Sequence, residues 1–228
     1  ELDDLDGAGW QRELAGAGDG RFEAGVPAGQ IQILPFDHSL VAGLLTDPRI
    51  KMLSFTGSAE VGWQLKSRAA KMKVALELGG NAAVIVEPDG DWRLAIPKIA
   101  SGAFGYAGQS CISVQRILVS GEIFADFREG LVSHIKDKVS VGDPTKRETL
   151  VGPMITPEAR EKVLGWINAA TAAGAEMLTP LVTEGRSLLG PVLLGKVPAG
   201  SAVLCEEAFA PLAVLQPYDT FAEALGIA

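Results

Sequence analysis

Residues 52–78 read MLSFTGSAEVGWQLKSRAAKMKVALEL, and this stretch decides the fold. The apolar residues 52–55 predict a short strand, and residues 74–78 predict a second one. Between them, the Thr-Gly-Ser turn at 56–58 opens a helix over residues 59–70, with the serine as its N-cap. Strand, turn, helix and strand in succession predict a parallel sheet covered by helices.

The same alternation extends on both sides of this stretch, so the whole chain is predicted to be α/β. Upstream, residues 31–34 predict a strand and residues 39–46 a helix. Downstream, the predicted strands are 82–86, 117–119, 192–194 and 202–204, and the predicted helices are 91–106, 124–138 and 157–173.

Residues 1–22 have a different character from the remainder of the chain. They are rich in Gly and Asp, show no sustained hydrophobic period, and do not begin with methionine. Such a composition is typical of poorly packed or disordered segments. We interpret residues 1–22 as an atypical leader to which no function is assigned.

Two short segments carry candidate chemistry: Leu76-Glu77-Leu78-Gly79-Gly80-Asn81 and Gly108-Gln109-Ser110-Cys111. Cysteine attacks as its thiolate, and a Gly/Gln/Ser loop leaves Cys111 open and close to backbone amides. Glu77 sits in an apolar strand, where desolvation would suit a general base that draws a proton from water. The pair is predicted to act together as nucleophile and base.

Each of these residues also has a plainer interpretation. A cysteine is most often a small buried hydrophobe. Glu77 alone is compatible with a salt bridge at a strand end. The turn at 56–58 would be a capped turn without a ligand, or a phosphate site at a helix N-terminus. The joint occurrence of the thiol, the acid and their neighbouring glycines favours the catalytic interpretation.

Composition and charge exclude several classes of function. The 228 residues are 47% hydrophobic and carry a formal net charge of −8, which disfavours binding to nucleic acid or anionic membranes. No apolar run long enough to span a membrane occurs, and no signal peptide is recognisable, so we expect a cytoplasmic protein.

The cysteines and histidines point to neither a disulfide framework nor a metal site. The two cysteines, Cys111 and Cys205, are too few for a disulfide framework and suit a reducing compartment. Neither His38 nor His134 has a partner at metal-ligand spacing, so no zinc site is predicted. His134 is predicted to be a partly exposed helix residue, although a protease-like pairing with Cys111 is a weaker alternative.

With these motifs in place, the chain resembles the aldehyde dehydrogenase superfamily. Its signatures are a Leu-Glu-Leu-Gly-Gly segment and a Gly-Gln-x-Cys segment at about the separation seen here. Further matches occur in the family's order at residues 55–58, 60–62, 142–144, 151–153 and 206–211. The resemblance implies a partial Rossmann-like, dinucleotide-binding domain at 23–79 and an incomplete α/β catalytic domain at 80–228.

The resemblance also implies an activity, namely oxidation of an aldehyde to a carboxylic acid with NAD or NADP. Cys111 would form a thiohemiacetal and then a thioester, which Glu77 would help to hydrolyse. A glutamate at this position favours water over coenzyme A as the acyl acceptor.

The cofactor contacts that the resemblance implies lie in three segments. Thr56, Gly57 and Ser58 would contact the pyrophosphate, and the segment containing Leu78 and Gly79 would lie along the cofactor. Glu207 would hold the nicotinamide ribose, with Phe209 packed beside it. Without the resemblance, the paired acids Glu206 and Glu207 would be interpreted as solvated. Cys205 matches no family role and is predicted to lie in the core.

Other features of the resemblance concern what is not matched. The family's upstream asparagine, which donates to the substrate oxygen, and its lysine for the adenine ribose have no counterpart in residues 1–22. The chain ends before the family's oligomerisation hairpin, whereas a full-length enzyme is expected to be a homo-oligomer. The missing asparagine and lysine keep open the alternative of an impaired fragment that acts at most as a binding or interaction module. A further alternative is thioesterase or esterase activity through Cys111, since the acyl-enzyme half of the reaction needs no dinucleotide.

Overall fold

The computed structural model describes residues 25, 27, 29–32, 34, 40–69 and 71–228. The predicted leader at 1–22 and His38 lie outside these residues. The described chain divides into two compact units. The smaller contains the residues up to Thr56 together with Glu60–Glu77, and the larger contains Gly57–Ala59 and Leu78–Ala228.

The smaller unit is built on two strands and two helices. Its elements in chain order are α1 (Val41–Thr46), β1 (Met52–Gly57), α2 (Ala59–Arg68) and β2 (Lys73–Leu78). The two strands pair in a two-stranded sheet, and the backbone N–H of Lys73 donates to Lys51 O at 3.0 Å. The predicted strand–helix–strand at 52–78 is thereby confirmed.

The strand predicted at 31–34 is wrong for the three of its residues that the structure describes. Ile31, Gln32 and Leu34 belong to no strand, and a turn precedes them in which Gln30 N donates to Pro27 O at 3.3 Å. Ile31 and Leu34 are exposed. An apolar run forms a stable strand only where a sheet covers its side chains, and these side chains are uncovered.

The larger unit contains most of the regular structure. A single 3₁₀ turn, Gly105–Gly108, follows its first helix. Its strands and helices in chain order are β3 (Ala82–Val86), α3 (Trp92–Phe104), β4 (Val114–Ser120), α4 (Phe124–Lys138), α5 (Pro157–Ala172), β5 (Glu176–Met177), β6 (Thr183–Glu184), β7 (Leu188–Leu189), β8 (Val192–Gly195), α6 (Ala202–Cys205), β9 (Leu212–Tyr218) and α7 (Phe221–Ile227).

A five-stranded sheet with the order β3-β4-β9-β8-β5 organises the larger unit. The pairs β3–β4, β4–β9 and β8–β9 are parallel, and only the edge strand β5 is antiparallel to its neighbour. The short strands β6 and β7 form a separate antiparallel pair. Parallel neighbours joined through helices confirm the predicted α/β class.

Helices cover both faces of this sheet because its strands are apolar on both sides. Alternate residues divide between two cores: Leu193 packs with α3 and α4, whereas Val192 and Leu194 pack with α5 and α6. The same alternation holds in β9. In β4, Ile117 and Val119 face the α3–α4 core, and Leu118 packs with Ala224 of α7. The sheet is thus the middle layer of three.

Three helices of the larger unit begin at residues whose side chains satisfy free backbone amides. Asp91 accepts from Leu94 N at the start of α3, and Thr156 accepts from Ala159 N at the start of α5, where Pro157 follows. Thr220 accepts from Glu223 N at the start of α7. Within the part of the chain that the structure describes, no helix is both long and apolar enough to cross a membrane.

Tyr218 ties together the carboxyl ends of β9 and β3. Its hydroxyl donates to Val86 O at 2.9 Å and to the carboxylate of Glu87. Burial, and secondly the hydrogen bond to Glu87, raise the pKa of Tyr218. The hydroxyl therefore stays protonated and remains a donor across the neutral pH range.

The strand predicted at 202–204 is wrong, because residues 202–205 form the short helix α6. Cys205 N donates to Ser201 O, and Glu206 N to Ala202 O. Three apolar residues are too few to distinguish a strand period from a helical one. Both edges of the neighbouring strand β8 are already occupied, by β9 and β5.

Cys205 was predicted to lie in the core, and this prediction is also wrong. The residue ends α6 and is exposed, whereas Val203 is the buried residue of that helix. One turn of helix can direct only one of its four side chains fully into the core. His134, in contrast, lies on α4 with intermediate exposure, as predicted.

Replacement of Phe127 by alanine is expected to destabilise the larger unit strongly. Phe127 of α4 is fully buried in the core that α3, α4 and the sheet share, so Phe127→Ala should reduce the free energy of unfolding by about 3–5 kcal/mol. Phe221, at the start of α7, is 52% exposed, and Phe221→Ala should cost at most about 1 kcal/mol. Urea denaturation followed by circular dichroism measures both losses. Equal losses would contradict this assignment of the core.

Candidate active site

Three loops meet at the edge of the five-stranded sheet that is formed by the amino ends of β3, β4 and β9. They meet there because each loop precedes a strand that runs in the same direction. Residues 78–81 lead into β3, residues 109–113 into β4, and residues 206–211 into β9. The register pairs Ala82 with Val114 and Arg116 with Val214, so the three strands begin at nearly the same level. Sites in open α/β sheets usually lie at the carboxyl ends of the strands, whereas this edge carries the amino ends.

Cys111 occupies an exposed turn at this edge. Ser113 N donates to Ser110 O at 3.0 Å, which places Cys111 within a tight turn. The hydroxyl of Ser113 donates to Ala103 O at 3.3 Å and fixes the turn to the end of α3. The plainer interpretation of Cys111 as a buried hydrophobe is therefore wrong. The thiol is accessible and its backbone is constrained, as a nucleophile requires.

The backbone before Cys111 has an unusual conformation. Tyr106 and Ala107 both have φ 54° and ψ 35°, and Gly108 has φ 65°. Left-handed backbone is costly for residues with a Cβ, so neighbouring contacts must hold it in place. Gln109 supplies one such contact, because its Oε1 accepts from Ile155 N at 2.9 Å.

Gly108 supplies the second contact of this loop. A Cβ at this position would lie 1.9 Å from Ala210 O, so the two backbones are in direct van der Waals contact. Only glycine permits such an approach together with the positive φ. The loop of Cys111 is thereby packed against the segment that contains Glu207 and Phe209.

Glu207 is held against the first of the three loops. Its Oε1 accepts from Gly80 N at 3.1 Å. A Cβ on Gly79 would lie 1.8 Å from the same oxygen, so the Gly-Gly pair makes room for this carboxylate. Phe209 is 44% exposed and has φ 47°. The structure thus brings Gly79, Glu207, Phe209 and the Cys111 loop to one region of the larger unit.

Three polar residues frame this region, and the sequence reasoning assigned none of them. Gln115 bonds to the backbone of residues 203, 206 and 208. Asn81 Nδ2 donates to Leu204 O at 2.7 Å and to Glu206 O at 3.3 Å, and its Oδ1 accepts from Arg116 Nε at 3.1 Å. The signal in the sequence that could have identified these residues is the presence of polar side chains at the start of an otherwise apolar strand.

Thr56, Gly57 and Ser58 lie where β1 passes into α2, and all three are exposed. Thr56 belongs to the smaller unit, whereas Gly57–Ala59 groups with the larger one. The strand–turn–helix arrangement predicted for these residues is confirmed. Their contact with a cofactor stays a prediction.

Glu77 lies on β2 in the smaller unit, and the burial predicted for it is wrong, because the residue is exposed. Among the described residues, β2 has a single neighbour in a two-stranded sheet. Cys111 belongs to the larger unit, so the pairing of these two residues in one site stays a prediction. The described residues contain no group of three or more His, Cys, Asp or Glu able to hold a metal ion.

Residues 21–228 match the model of the aldehyde dehydrogenase family. The chain belongs to this family. Its curated relatives include the putative aldehyde-dehydrogenase-like protein y4uC of Sinorhizobium fredii, which is 40% identical over 206 residues. That match covers 90% of this chain and 40% of the relative.

Solved structures of aldehyde dehydrogenases share the fold. One is the glyceraldehyde-3-phosphate dehydrogenase GapN of Methanocaldococcus jannaschii, complexed with NADP, with a TM-score of 0.84 and 32% identity. The match covers 92% of this chain and 45% of the GapN chain. Another is the NAD-dependent aldehyde dehydrogenase of Sinorhizobium meliloti, with a TM-score of 0.84 and 34% identity. The match covers 90% of this chain and 42% of that protein. This chain therefore spans 40–45% of the length of these three proteins.

Replacement of Gly108 by alanine is expected to disrupt the site. The new Cβ would clash with Ala210 O, so Gly108→Ala should displace the Cys111 loop or residues 206–211. Gly105 is the matched control in the same turn, because the nearest atom to a Cβ added there would be Leu150 Cδ1, at an ordinary contact distance of 3.9 Å. The rate at which iodoacetamide alkylates Cys111 is measured by mass spectrometry. This rate should change by about tenfold or more in Gly108→Ala and by less than about twofold in Gly105→Ala. Equal rates in both variants would contradict the packing described here.

Proposed function

We propose that this chain carries the thiol chemistry of an NAD- or NADP-dependent aldehyde dehydrogenase, which converts an aldehyde to a carboxylic acid. One observation carries the proposal: exposed Cys111 lies on a constrained loop packed against the segment that contains Glu207. Membership of the family supports it. The aldehyde and the choice between NAD and NADP are left open.

The residues at the edge of the sheet fit a dinucleotide. Glu207 uses Oε1 for the Gly80 amide, and no described residue donates to its Oε2, which suits a ribose hydroxyl. Phe209 offers an exposed aromatic face beside it. The turn at 56–58 precedes the ten-residue helix α2, whose N-terminal amides suit a pyrophosphate. When bound, the nicotinamide would accept a hydride from the substrate carbon once the sulfur is attached to it, which would leave that carbon as a thioester.

The first step that the chain's own residues perform is covalent attack. The sulfur of Cys111, as thiolate, bonds to the carbonyl carbon of the aldehyde, and the carbonyl oxygen gains the negative charge. Among the described residues, no acceptor takes the backbone N–H of Cys111. This N–H is therefore available to donate to the developing oxyanion.

The second step is release of the acid from the thioester. Glu77 accepts a proton from a water molecule, whose oxygen bonds to the acyl carbon. The carbon–sulfur bond then breaks, and the thiolate of Cys111 is regenerated as the carboxylic acid leaves. This role of Glu77 requires that the acid reach the acyl group from the smaller unit.

The exposure of Glu77 favours a second candidate function. An exposed carboxylate is surrounded by bulk water, whereas a general base must hold one water molecule within hydrogen-bond reach of the acyl group. In this alternative, the chain keeps the fold and acts at most as a binding or interaction module. The cytoplasm as the compartment and self-association of a full-length enzyme also stay predictions from the sequence.

Formation of reduced dinucleotide tests the first proposal. The 228-residue chain is incubated with NAD or NADP and a panel of aldehydes, and the absorbance of the reduced cofactor is followed. Cys111→Ser should lose at least about a thousandfold of the rate, because a serine hydroxyl is a far weaker nucleophile. Cys205→Ser, the matched exposed thiol, should change the rate by less than about twofold. Absence of turnover in the unmodified chain would instead support the binding module.

Hydrolysis of p-nitrophenyl acetate tests the role of Glu77 separately, since the acyl-enzyme half of the reaction needs no dinucleotide. Glu77→Gln should retain the burst of acylation and slow the steady-state release of acetate by about 10²–10⁴-fold. The exposed acid Glu122 provides the control, because Glu122→Gln should leave both phases unchanged. An unchanged deacylation rate in Glu77→Gln would rule out the glutamate as the base.

A further inference from the structure

Gln115 is a buried polar side chain at the start of β4. It is only 4% exposed, and the residues that follow it in the strand are mostly apolar. Together with Thr179, it makes up the buried polar residues of the described chain. A buried side-chain amide without hydrogen-bond partners would destabilise the fold. The partners of the Gln115 amide therefore indicate what this residue contributes.

The side-chain amide of Gln115 forms hydrogen bonds with the backbone on both sides of Glu207. Its Nε2 donates to Val203 O at 3.0 Å and to Glu206 O at 2.8 Å. Its Oε1 accepts from Ala208 N at 2.9 Å. The bonds to Glu206 and Ala208 fix the two peptide groups that flank Glu207, and therefore limit the directions in which that side chain can point.

A second set of contacts holds the same segment through the residue that follows Gln115. Ala82 pairs with Val114 and Ala83 with Arg116, so the register shifts at Gln115 and the usual alternation of side chains between the two faces is interrupted there. Arg116 donates to the side chain of Asn81, and Asn81 in turn donates to Leu204 O and Glu206 O. The segment before Glu207 is thus bonded directly by Gln115 and indirectly by Arg116.

Gln115 also has a fixed relation to the nucleophile. It follows Cys111 by four positions, and the turn between Ser110 and Ser113 leads directly into β4. From Arg116 onward, β4 pairs with β3 on one side and β9 on the other, so the part of the strand that follows Gln115 cannot shift without breaking two ladders. The amide of Gln115 therefore connects a rigid strand that begins at the Cys111 loop to the backbone around Glu207.

We propose that Gln115 is a positioning residue that sets where the Glu207 carboxylate lies relative to the Cys111 loop. It acts through the backbone of Glu206 and Ala208, and it touches neither substrate nor cofactor. The role of Glu207 toward a dinucleotide rests on the proposed function. The placement of the carboxylate is independent of it, and the Gly80 amide that donates to Glu207 reports that placement directly.

The experiment compares Gln115→Met with Gln216→Met in the 228-residue chain. Methionine keeps the length of glutamine and removes the amide. Gln216 lies on β9 in the same sheet, and among the described residues its Oε1 is buried without a hydrogen-bond partner. Two readouts are collected by nuclear magnetic resonance: the hydrogen-exchange rate of the Ala208 amide, and the chemical shift of the Gly80 amide proton. Calorimetric titration with NAD and with NADP gives the dissociation constants.

In Gln115→Met, exchange at Ala208 should accelerate by about tenfold or more, since that amide loses its acceptor. The Gly80 amide proton should move toward the shift of an amide without a carboxylate acceptor, and exchange at Val214 in β9 should not change. The dissociation constant for the dinucleotide should rise by about tenfold. Gln216→Met should leave all of these values as in the unmodified chain.

Several outcomes would overturn the proposal. Unchanged signals from Gly80 and Ala208 would show that Gln115 does not hold the carboxylate. Faster exchange throughout the sheet, including Val214, would show a role in global stability only, and Gln115→Asn then serves as the milder variant in which the local effect must still appear. Local changes without any change in the dissociation constant would remove the functional role. If the unmodified chain binds neither dinucleotide, the proposed function fails, while the two amide signals still decide the placement of Glu207.

Discussion

The parallel pairing of β4 with β3 on one side and β9 on the other is the constraint on which the candidate site depends. Because the three strands run in the same direction and begin at nearly the same level, the loops before them meet at one edge. Those loops contain Gly79, Cys111 and Glu207. The opposite edge is closed by Tyr218, which bonds to Val86 and Glu87. The candidate site is therefore located at the amino ends of the strands.

Direct backbone contact then brings the loops closer than ordinary side chains would allow. Gly108 approaches Ala210, and Gly79 approaches the carboxylate of Glu207, so that a Cβ at either position would overlap another residue. The left-handed turn at Tyr106 and Ala107 directs the chain into this contact. Such strain persists only where the surroundings over-determine the backbone, and here the sheet, Gln109 and Gly108 together do so.

Hydrogen bonds from buried or half-buried polar groups fix what the sheet leaves free. Residues 203–208 contain the short helix end and the two acids, and they lie between strands rather than in one. Gln115 and Asn81 together satisfy four backbone groups of this segment. Because unsatisfied buried peptide groups are costly, this network restricts the segment to one arrangement. The loop that contains Cys111 is thus packed, through Gly108 and Ala210, against a segment whose backbone is held by these hydrogen bonds.

The sequence by itself determined the elements whose signals are local. The helix predicted at 124–138 has the bounds Phe124–Lys138, and the one predicted at 157–173 ends one residue earlier, because hydrophobic spacing, Thr156 and Pro157 act within a few turns. The motifs around Glu77 and Cys111 were sufficient to predict the family. Only the tertiary structure decided that residues 202–205 are helical, that Glu77 and Cys205 are exposed, and that Gln115 reaches the backbone around Glu207. These features depend on which strands are neighbours and which faces are covered, and a period of two or 3.6 residues along the chain contains no information about either.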